Sequence, residues 1–421
     1  MTEKLLQFIW QHQYFKIVGL QTTSGESLDI LKLGSFNHNQ GPDFLNASIK
    51  VSGVKLIGNI ELHTYTSHWK KHAHSLDKNY NNVVLHVVWI NDATELKYIP
   101  TLELQHIVPK ILLDKYNFLM TQEDKIPCQS FLPSLTDIGW MAWKERLAAE
   151  RLMAKSEEII QSFTSNKNNW EETFWQQLAF NFGLKVNADF FKLIAKSIPI
   201  HILAKNKNQL VLLEALLFGQ ANLLNENFES AYSIQLKKEY EYLKKKYQLN
   251  PIEGSVYFLR MRPLNFPTIR LAQLAALIAN SNHLFSQIKT AITIKEVKAF
   301  FQVSCSTYWN HHYTLVDEKS SFKEKKMGEK MIDLIIINTI VPIVFAIGLF
   351  NNDEQLKNKA IQWLQEIKAE ENSILNSWKS KNFIIKSAFD SQALLQLSKY
   401  YCKEKKCIQC AVGNSILKVR N

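Results

Sequence analysis

The sequence predicts an α+β protein, with an α/β sheet domain over residues 1–125 and a larger, all-helical domain over residues 126–421. Runs rich in Val, Ile and Leu, typical of strands, occupy the first part of the chain, whereas apolar residues recur every three or four positions beyond about residue 136. A chain of 421 residues also exceeds what one compact core usually organises. We therefore expect at least two domains.

The first domain is expected to begin with a helix at about residues 3–13. Five strands follow, with turn signals such as Ser52-Gly53 between them, and a polar segment separates the third strand from the fourth. The predicted strands are SLDILKLGSF, DFLNASIKV, KLIGNIELHTYT, NVVLHVVWI and TLELQHI, and the polar segment is SHWKKHAHSLDKNY.

The second domain is predicted from the helical spacing of its apolar residues. Its clearest helical runs are DIGWMAWKERLAAERLMAKSEEIIQSF, EETFWQQLAFNF, NQLVLLEALLFGQANLL, YSIQLKKEYEYLKKKYQ and QALLQLSKYYC. The run 331–350, MIDLIIINTIVPIVFAIGLF, is long and apolar enough to be tested as a membrane span. Asp333, Asn338 and Pro342 interrupt it, so we predict a buried core helix kinked at its proline, and no membrane association.

Charge and histidine content also divide the chain. Residues 1–125 contain 12 Lys, no Arg and 12 Asp plus Glu, so the net charge of +11 arises entirely beyond them. Eight of the 12 histidines lie in those first 125 residues. The first domain is therefore suited to coordination or proton chemistry, and the second to attracting anions. The start of the chain lacks the pattern of a secretory signal and the five cysteines are unevenly spaced, so a cytoplasmic location is expected.

A candidate metal site lies in the segment 41–74. Asp43 stands at the entry to one predicted strand and Glu61 within the next, so the two carboxylates can reach one point if the strands pair. His63 projects from the same face as Glu61, and His72 and His74 follow in the polar segment. Carboxylate oxygens suit Mg²⁺ or Mn²⁺. The alternative is a turn aspartate beside ordinary surface polar residues.

Three other histidines are predicted to be structural. His86 lies between apolar residues of a strand, where a hydrogen-bonded core histidine is more common than a metal ligand. His311 and His312, in STYWNHHY, are assigned the same kind of role.

The order helix, three strands, segment and strand, with Pro42-Asp43 on the second strand and Glu61-Leu62-His63 on the third, is similar to the restriction-endonuclease-like, or PD-(D/E)xK, nuclease superfamily. That resemblance implies that Asp43 and Glu61 bind a divalent metal. The superfamily has a lysine at the third position, which helps to position or activate the attacking water, whereas this sequence has His63. If the site works as in that superfamily, Lys70 or Lys71 on the following segment would supply the positive charge that the lysine provides there.

A longer pattern resembles a bacterial family of uncharacterised function, a domain of unknown function, over nearly the full chain. It consists of GPDF, GNIELH, HAH and YNNVVLHVV, with RPLNFP and a cysteine-bearing C-terminus downstream. This second resemblance helps to define boundaries but implies no substrate.

The cysteines form a second candidate metal site. Cys402, Cys407 and Cys410 have a C-x4-C-x2-C spacing, and nearby lysines favour the thiolate form. Cys128, at the predicted domain boundary, is the natural fourth ligand, and Cys305 is the alternative. Such a site accepts zinc or an iron–sulfur cluster, and reduced, unligated thiols are the other possibility.

A third candidate site is the arginine cluster in RMRPLNFPTIR. Arg260, Arg262 and Arg270 are half of the six arginines in the chain, and the arginine side chain suits phosphate. We therefore expect these residues to contact DNA or RNA, although they could instead pair with acidic residues at a domain interface.

Two functions remain open from sequence. The first is a metal-dependent phosphodiesterase, or nuclease, in which Asp43 and Glu61 hold Mg²⁺ or Mn²⁺ and His63 assists, with Lys70 as a further catalytic candidate. The second is a non-catalytic protein that binds nucleic acid or a protein partner on a degenerate nuclease-like scaffold. Loss of the lysine favours the second, whereas retention of both carboxylates with clustered histidines favours the first.

Overall fold

The computed structural model describes residues 1–93 and 99–418 and divides the chain into two compact units. The first unit contains residues 1–141 together with the C-terminal segment that begins at Ser398. The second contains residues 142–397. The α+β class is confirmed, with the sheet in the first unit and a helical second unit.

The strands of the first unit agree with the five predicted runs, and one short strand precedes them. They are β1 Leu20–Gln21, β2 Ser27–Lys32, β3 Ser35–Phe36, β4 Phe44–Val51, β5 Val54–Tyr65, β6 Val83–Ile90 and β7 Thr101–Glu103. The sheet order is β1-β2-β4-β5-β6-β7, and β3 pairs with β4. Strands β4 and β5 are antiparallel, whereas β5 pairs with β6, and β6 with β7, in parallel.

The β4–β5 hairpin places the metal candidates beside each other. Its two-residue turn, Ser52-Gly53, has positive φ at both residues, +44° and +86°, as a type I′ turn requires. At the other end of the hairpin, a register shift follows Phe44, and Asn46 has a φ of +57°. Bulges of this kind redirect the chain and are common next to functional sites.

Helices are few before residue 136 and predominate beyond it, as the change of period predicts. They are α1 Glu3–Gln11, α2 His68–Lys71, α3 Lys110–Thr121, α4 Asp137–Ser165, α5 Trp170–Phe182, α6 Leu184–Ser197, α7 Ile200–Asn206, α8 Leu210–Gln220, α9 Ala231–Tyr247, α10 Pro267–Asn280, α11 Leu284–Thr290, α12 Ile294–Phe300, α13 Glu329–Ile335, α14 Val341–Phe350, α15 Glu354–Glu366, α16 Ser373–Lys379, α17 Ala388–Gln396 and α18 Ala411–Leu417. Helix α3 was not predicted from sequence.

The apolar run 331–350 lies in the core of the helical unit. It forms α13, a π-helical turn Ile336–Ile340 and α14, so the irregularity falls just before Pro342. Proline has no backbone N–H and disturbs the helical turn that precedes it, which explains why the π-helical turn lies just before Pro342. By length and composition the helix Glu329–Phe350 could cross a membrane, but 78% of its most apolar window is buried inside the protein. Such burial is typical of a core helix.

The observed units differ from the predicted boundary at residue 125. The first unit extends to Met141, and the cysteine-bearing segment from Ser398 belongs to it rather than to the helical unit. Tertiary contacts explain this difference, because Lys115 Nζ, on α3, donates to the carbonyl of Ile416 at 3.0 Å. The helical unit is thus inserted in sequence between two parts of the first unit.

Candidate metal centre

The sheet brings Glu61, His63 and His86 to one face. Glu61 and His63 lie two residues apart on β5, and the parallel pairing of β5 with β6 sets Glu61 opposite His86. Side chains at paired positions project from the same face of a sheet. All three residues are buried. The α2 segment then returns His72 and His74 to this face.

Three imidazoles meet at one point. A ligand atom from each of His63, His72 and His74 lies within 4.8 Å of those of the other two. His63 Nε2 is 3.2 Å from His72 Nδ1 and 3.3 Å from His74 Nε2. Nitrogen ligands about 2.1 Å from a tetrahedral metal lie roughly 3.4 Å apart. The cluster therefore has the dimensions of a metal site.

Glu61 extends this cluster with a carboxylate oxygen. Its Oε1 lies 3.5 Å from both His63 Nε2 and His74 Nε2. His63 Nε2 consequently has three polar neighbours within 3.5 Å, but a neutral imidazole nitrogen has one lone pair or one proton and can satisfy only one of them. A cation at this point would satisfy all of them together.

His86 determines how His63 is oriented. His63 Nδ1 lies 2.9 Å from His86 Nε2, which fixes the ring and leaves Nε2 facing the other imidazoles. A metal-bound histidine usually donates the N–H of its second ring nitrogen to a neighbouring acceptor, which fixes the orientation of the ring. The prediction that His86 is a hydrogen-bonded core histidine is confirmed, and its partner is a member of the candidate site.

Asp43 supports the cluster through Glu61. The Asp43 amide donates to Glu61 Oε2 at 3.1 Å, and the Leu62 amide donates to Asp43 Oδ2 at 3.0 Å. Gln7, on α1, donates from Nε2 to Asp43 Oδ1 at 2.7 Å. The two carboxylates are thus held side by side, as the sequence predicted, although the imidazole contacts are made by Glu61.

Burial has the largest effect on the pKa values of these groups. Burial, followed by repulsion from Asp43, raises the pKa of Glu61 to about 8, and burial raises the pKa of Asp43 to about 6. Burial also lowers the pKa of His63 to about 2 and that of His86 to about 3, with neighbouring imidazoles adding to both shifts. A buried cation would lower the pKa of both carboxylates and would keep the imidazoles neutral, because it favours charged carboxylates and neutral imidazoles.

The site opens toward solvent on the side of the polar segment. His63 is buried, His74 is half-buried and His72 is exposed. The ring of Tyr80 stacks on His74 at 3.8 Å between centroids. Lys70 is exposed, and within the described residues its side chain makes no hydrogen bond or ion pair with either carboxylate. Lys70 therefore does not lie beside the candidate metal ligands, because its side chain faces solvent from α2. Lys71, on the same helix, is also exposed.

The predicted arginine group does not form one surface. Arg260 and Arg262 are exposed, but Arg270 is buried within α10. Its guanidinium donates to Gln273 Oε1 at 2.6 Å and to Asn265 Oδ1. Arg270 therefore serves the packing of the helical unit, because a guanidinium held inside the core cannot reach a nucleic acid.

The remaining predicted residues have clear locations. Cys128, Cys402, Cys407 and Cys410 are all buried in the first unit, whereas Cys305 lies in the helical unit. His311 and His312 pair through Nδ1 with backbone carbonyls, at 3.0 and 2.9 Å. Their predicted structural role is confirmed.

Sequence reasoning missed Gln7 and Tyr80. Gln7 is remote from the motif in sequence and reaches Asp43 only because α1 packs against β5. Tyr80 follows the histidines in the polar segment, but nothing in its local pattern indicates that its ring stacks on His74. Neither residue has a sequence signal beyond its type.

Neither the curated proteins nor the solved structures gave a match. One family model matches residues 3–373, which covers the sheet with all of its metal candidates and most of the helical unit, and ends before the segment that begins at Ser398. The chain therefore belongs to the family described as protein of unknown function DUF2851.

Proposed function

We propose that this protein is a metal-dependent phosphodiesterase that acts on nucleic acid in the cytoplasm. One observation carries the proposal: the imidazoles of His72 and His74 and the buried carboxylate of Glu61 converge on His63 Nε2, with a second carboxylate held beside them. Buried groups of this kind are stable together when they surround a cation.

The ligand types define which metals fit. His63, His72, His74 and Glu61 would hold the ion, with Asp43 beside Glu61 as an orienting or additional ligand. Imidazole nitrogen moves the preference away from Mg²⁺ and toward Mn²⁺ or Zn²⁺. The site is open on one side, which leaves room for a phosphate. When bound, the metal would supply the positive charge that phosphoryl transfer requires.

The nuclease assignment is supported by the order of elements around the carboxylates. Helix α1 is followed by β2, β4 and β5, then by the α2 segment and β6, as in the nuclease superfamily that the sequence resembles. Lys70, Lys71 and Lys78 are exposed on the segment that carries the histidines, and would attract a phosphate backbone. Five cysteines, none of them in a disulfide in the described structure, are consistent with a cytoplasmic location.

The non-catalytic alternative has one specific observation in its favour. The position that holds lysine in the resembled superfamily is occupied by His63, and Lys70 points to solvent instead of replacing it. Under this alternative the metal would shape a surface that binds nucleic acid or protein without cleaving it.

A paired binding and cleavage experiment tests the proposal. Metal-free protein is titrated with Mn²⁺ and Zn²⁺ by calorimetry, and the loaded protein is incubated with labelled single-stranded, duplex and structured DNA and RNA. We expect one metal per chain at this site and cleavage of at least one substrate. Glu61→Gln and His63→Asn should lower metal affinity by more than about 100-fold, beyond the loss typical of outer partners.

The matched control is His106→Ala, which removes an exposed histidine of the same unit and should behave as wild type. Metal binding without cleavage of any substrate would favour the non-catalytic alternative. Unchanged metal binding in both Glu61→Gln and His63→Asn would contradict the proposed site.

A further inference from the structure

An apolar cavity lies within the helical unit. It has a volume of about 150 Å³, and all the residues that line it belong to that unit. Its walls come from α5, α7, the end of α10 and the start of α11. Apolar cavities of about this size in other proteins hold one benzene ring. The space is therefore sufficient for the body of a small molecule.

The buried wall of the cavity is aromatic and aliphatic. Phe174 and Trp175 line it from α5 and Phe285 lines it from α11, and the rings of Phe174 and Phe285 lie 5.6 Å apart between centroids. The polar atom of Trp175, Nε1, donates to the carbonyls of Ala195 and Ile198 at 3.1 and 3.0 Å. Because the indole N–H already has acceptors, this wall favours an apolar body over a polar one.

The entrance of the cavity is polar. Glu171, Ala204 and His283 are exposed members of the lining and mark the side on which the cavity opens to solvent. His283 has a φ of +53°, a left-handed conformation that turns the chain between α10 and α11. Lys207 also belongs to the lining and is half-buried. The cavity thus combines an apolar interior with a few polar groups, as small-molecule sites do.

Lys207 is held in a fixed position at this cavity. Its Nζ donates to the carbonyl of Ser281 at 3.2 Å and to Asn282 Oδ1 at 2.7 Å. Both acceptors are uncharged, and an ammonium group has three donors, so one N–H and the positive charge can serve a ligand. A side chain that is already ordered loses little conformational entropy on binding. Lys207 is therefore suited to hold an anionic group.

Glu171 restricts which anion the cavity accepts. Its carboxylate is exposed to water, which screens its repulsion of a single negative charge. A dianion such as a phosphate ester would feel this repulsion twice over and would leave one of its charges without a partner. One carboxylate, on a ligand with an apolar body, fits the two charges of the lining best.

We propose that this cavity binds a small aromatic monocarboxylate. The ring of the ligand lies among Phe174, Trp175 and Phe285, and its carboxylate accepts a hydrogen bond from Lys207 Nζ. The proposal goes beyond the phosphodiesterase activity and does not depend on it, because the cavity and the histidine cluster belong to different units.

Calorimetric titration with two matched probes tests the proposal. The probes are 3-phenylpropionate and 3-phenylpropan-1-ol, which share a ring and a chain but differ in charge. We expect one site per chain, and binding of the acid at least about tenfold tighter than binding of the alcohol, the factor that one charge-assisted hydrogen bond supplies. Equal affinity of wild-type protein for the two probes would overturn the carboxylate, and binding of neither at millimolar concentration would overturn the site.

A charge variant tests the role of Lys207. Lys207→Met keeps an unbranched stem, and should bind the acid about tenfold more weakly while binding the alcohol as wild type does. Lys205→Met is the matched control, because Lys205 is exposed on α7 outside the cavity lining and should leave both affinities unchanged. Wild-type affinity for the acid in Lys207→Met would overturn the assignment of Lys207.

A cavity-filling variant tests the location. Ala204→Trp adds a large side chain at an exposed position of the lining, where the fold can accommodate it, and should abolish binding of both probes. His201→Trp, at an exposed position of the same helix outside the lining, should bind both as wild type does. Undiminished binding in Ala204→Trp would show that the probes bind elsewhere and would overturn the proposal.

Discussion

At the scale of single residues, His63 decides what the candidate metal centre can do. Its Nδ1 contacts His86, and its Nε2 contacts His72, His74 and Glu61, so both ring nitrogens are committed. A lysine at this position could not make these contacts, because its ammonium group only donates hydrogen bonds. Histidine therefore gives this position two ring nitrogens that can both take part in the site.

The role of His86 can be tested by removing its ring nitrogens while keeping a buried aromatic ring. We predict that His86→Phe lowers Mn²⁺ affinity by about 10–100-fold, the range typical of lost outer partners, because His63 loses the contact that orients it. Calorimetric titration would measure the affinity, and circular dichroism would confirm the fold.

His106→Phe is the control for this variant, because His106 is exposed in the same unit and should leave Mn²⁺ affinity unchanged. Wild-type affinity in a folded His86→Phe protein would show that His63 is oriented without His86.

At the scale of elements, close approaches of backbone and side chains set how the helices pack. Gly219, on α8, lies against the ring of Tyr240 on α9, and an added Cβ would be 2.1 Å from that ring. Tyr240 is itself buried and its hydroxyl accepts a hydrogen bond from Gln220 Nε2 at 3.1 Å. The ring cannot move away without breaking this contact, so only glycine fits at position 219.

We predict that Gly219→Ala destabilises the helical unit by about 1–3 kcal/mol, the usual cost of overpacking a core. Gly328→Ala is the matched control, because nothing lies within 4 Å of its added Cβ and its φ of −77° suits alanine. Urea unfolding followed by circular dichroism would measure both. Equal stability of the two variants would contradict the packing described for α8 and α9.

At the scale of the whole molecule, the candidate metal sites and an extensive apolar core belong to different units. This apolar core runs from Leu152 to Ala388 in the helical unit. Both candidate metal sites lie in the first unit. Any ligand that binds the native state stabilises the part that it contacts, by about 2.7 kcal/mol at a concentration 100 times its dissociation constant. Metal binding should therefore stabilise the first unit and leave the stability of the helical unit unchanged.

Hydrogen exchange would show this division. We predict that adding Mn²⁺ to metal-free protein slows amide exchange in β4, β5 and β6 and leaves α8 and α9 unchanged, because only the sheet holds the histidine cluster. Mass spectrometry of peptic fragments would measure the exchange, with Glu61→Gln as the control that loses the response. Equal protection of both units would contradict a metal site confined to the sheet.

Much of the fold was predictable because its signals are local. The alternating and apolar runs of β4, β5 and β6 and the change to helical spacing near residue 136 arise from neighbouring residues, which sequence displays directly. Asp43 and Glu61 could be paired from sequence because a two-residue turn joins their strands. The unpredicted α3 and the true extent of the first unit depend instead on contacts with the C-terminal segment.

The sequence by itself determined the residue types that chemistry requires: a Pro-Asp and a Glu-x-His on adjacent strands, histidines two apart in the following segment, and three cysteines close together near the C-terminus. Tertiary structure alone decided which of them meet. It brought His86 to His63 and Gln7 to Asp43, it placed Cys128 in the same unit as the C-terminal cysteines, and it took Lys70 and Arg270 out of the proposed sites. The physical reason is that local pattern determines which face or element a side chain occupies, whereas convergence depends on packing between segments that are distant in the chain.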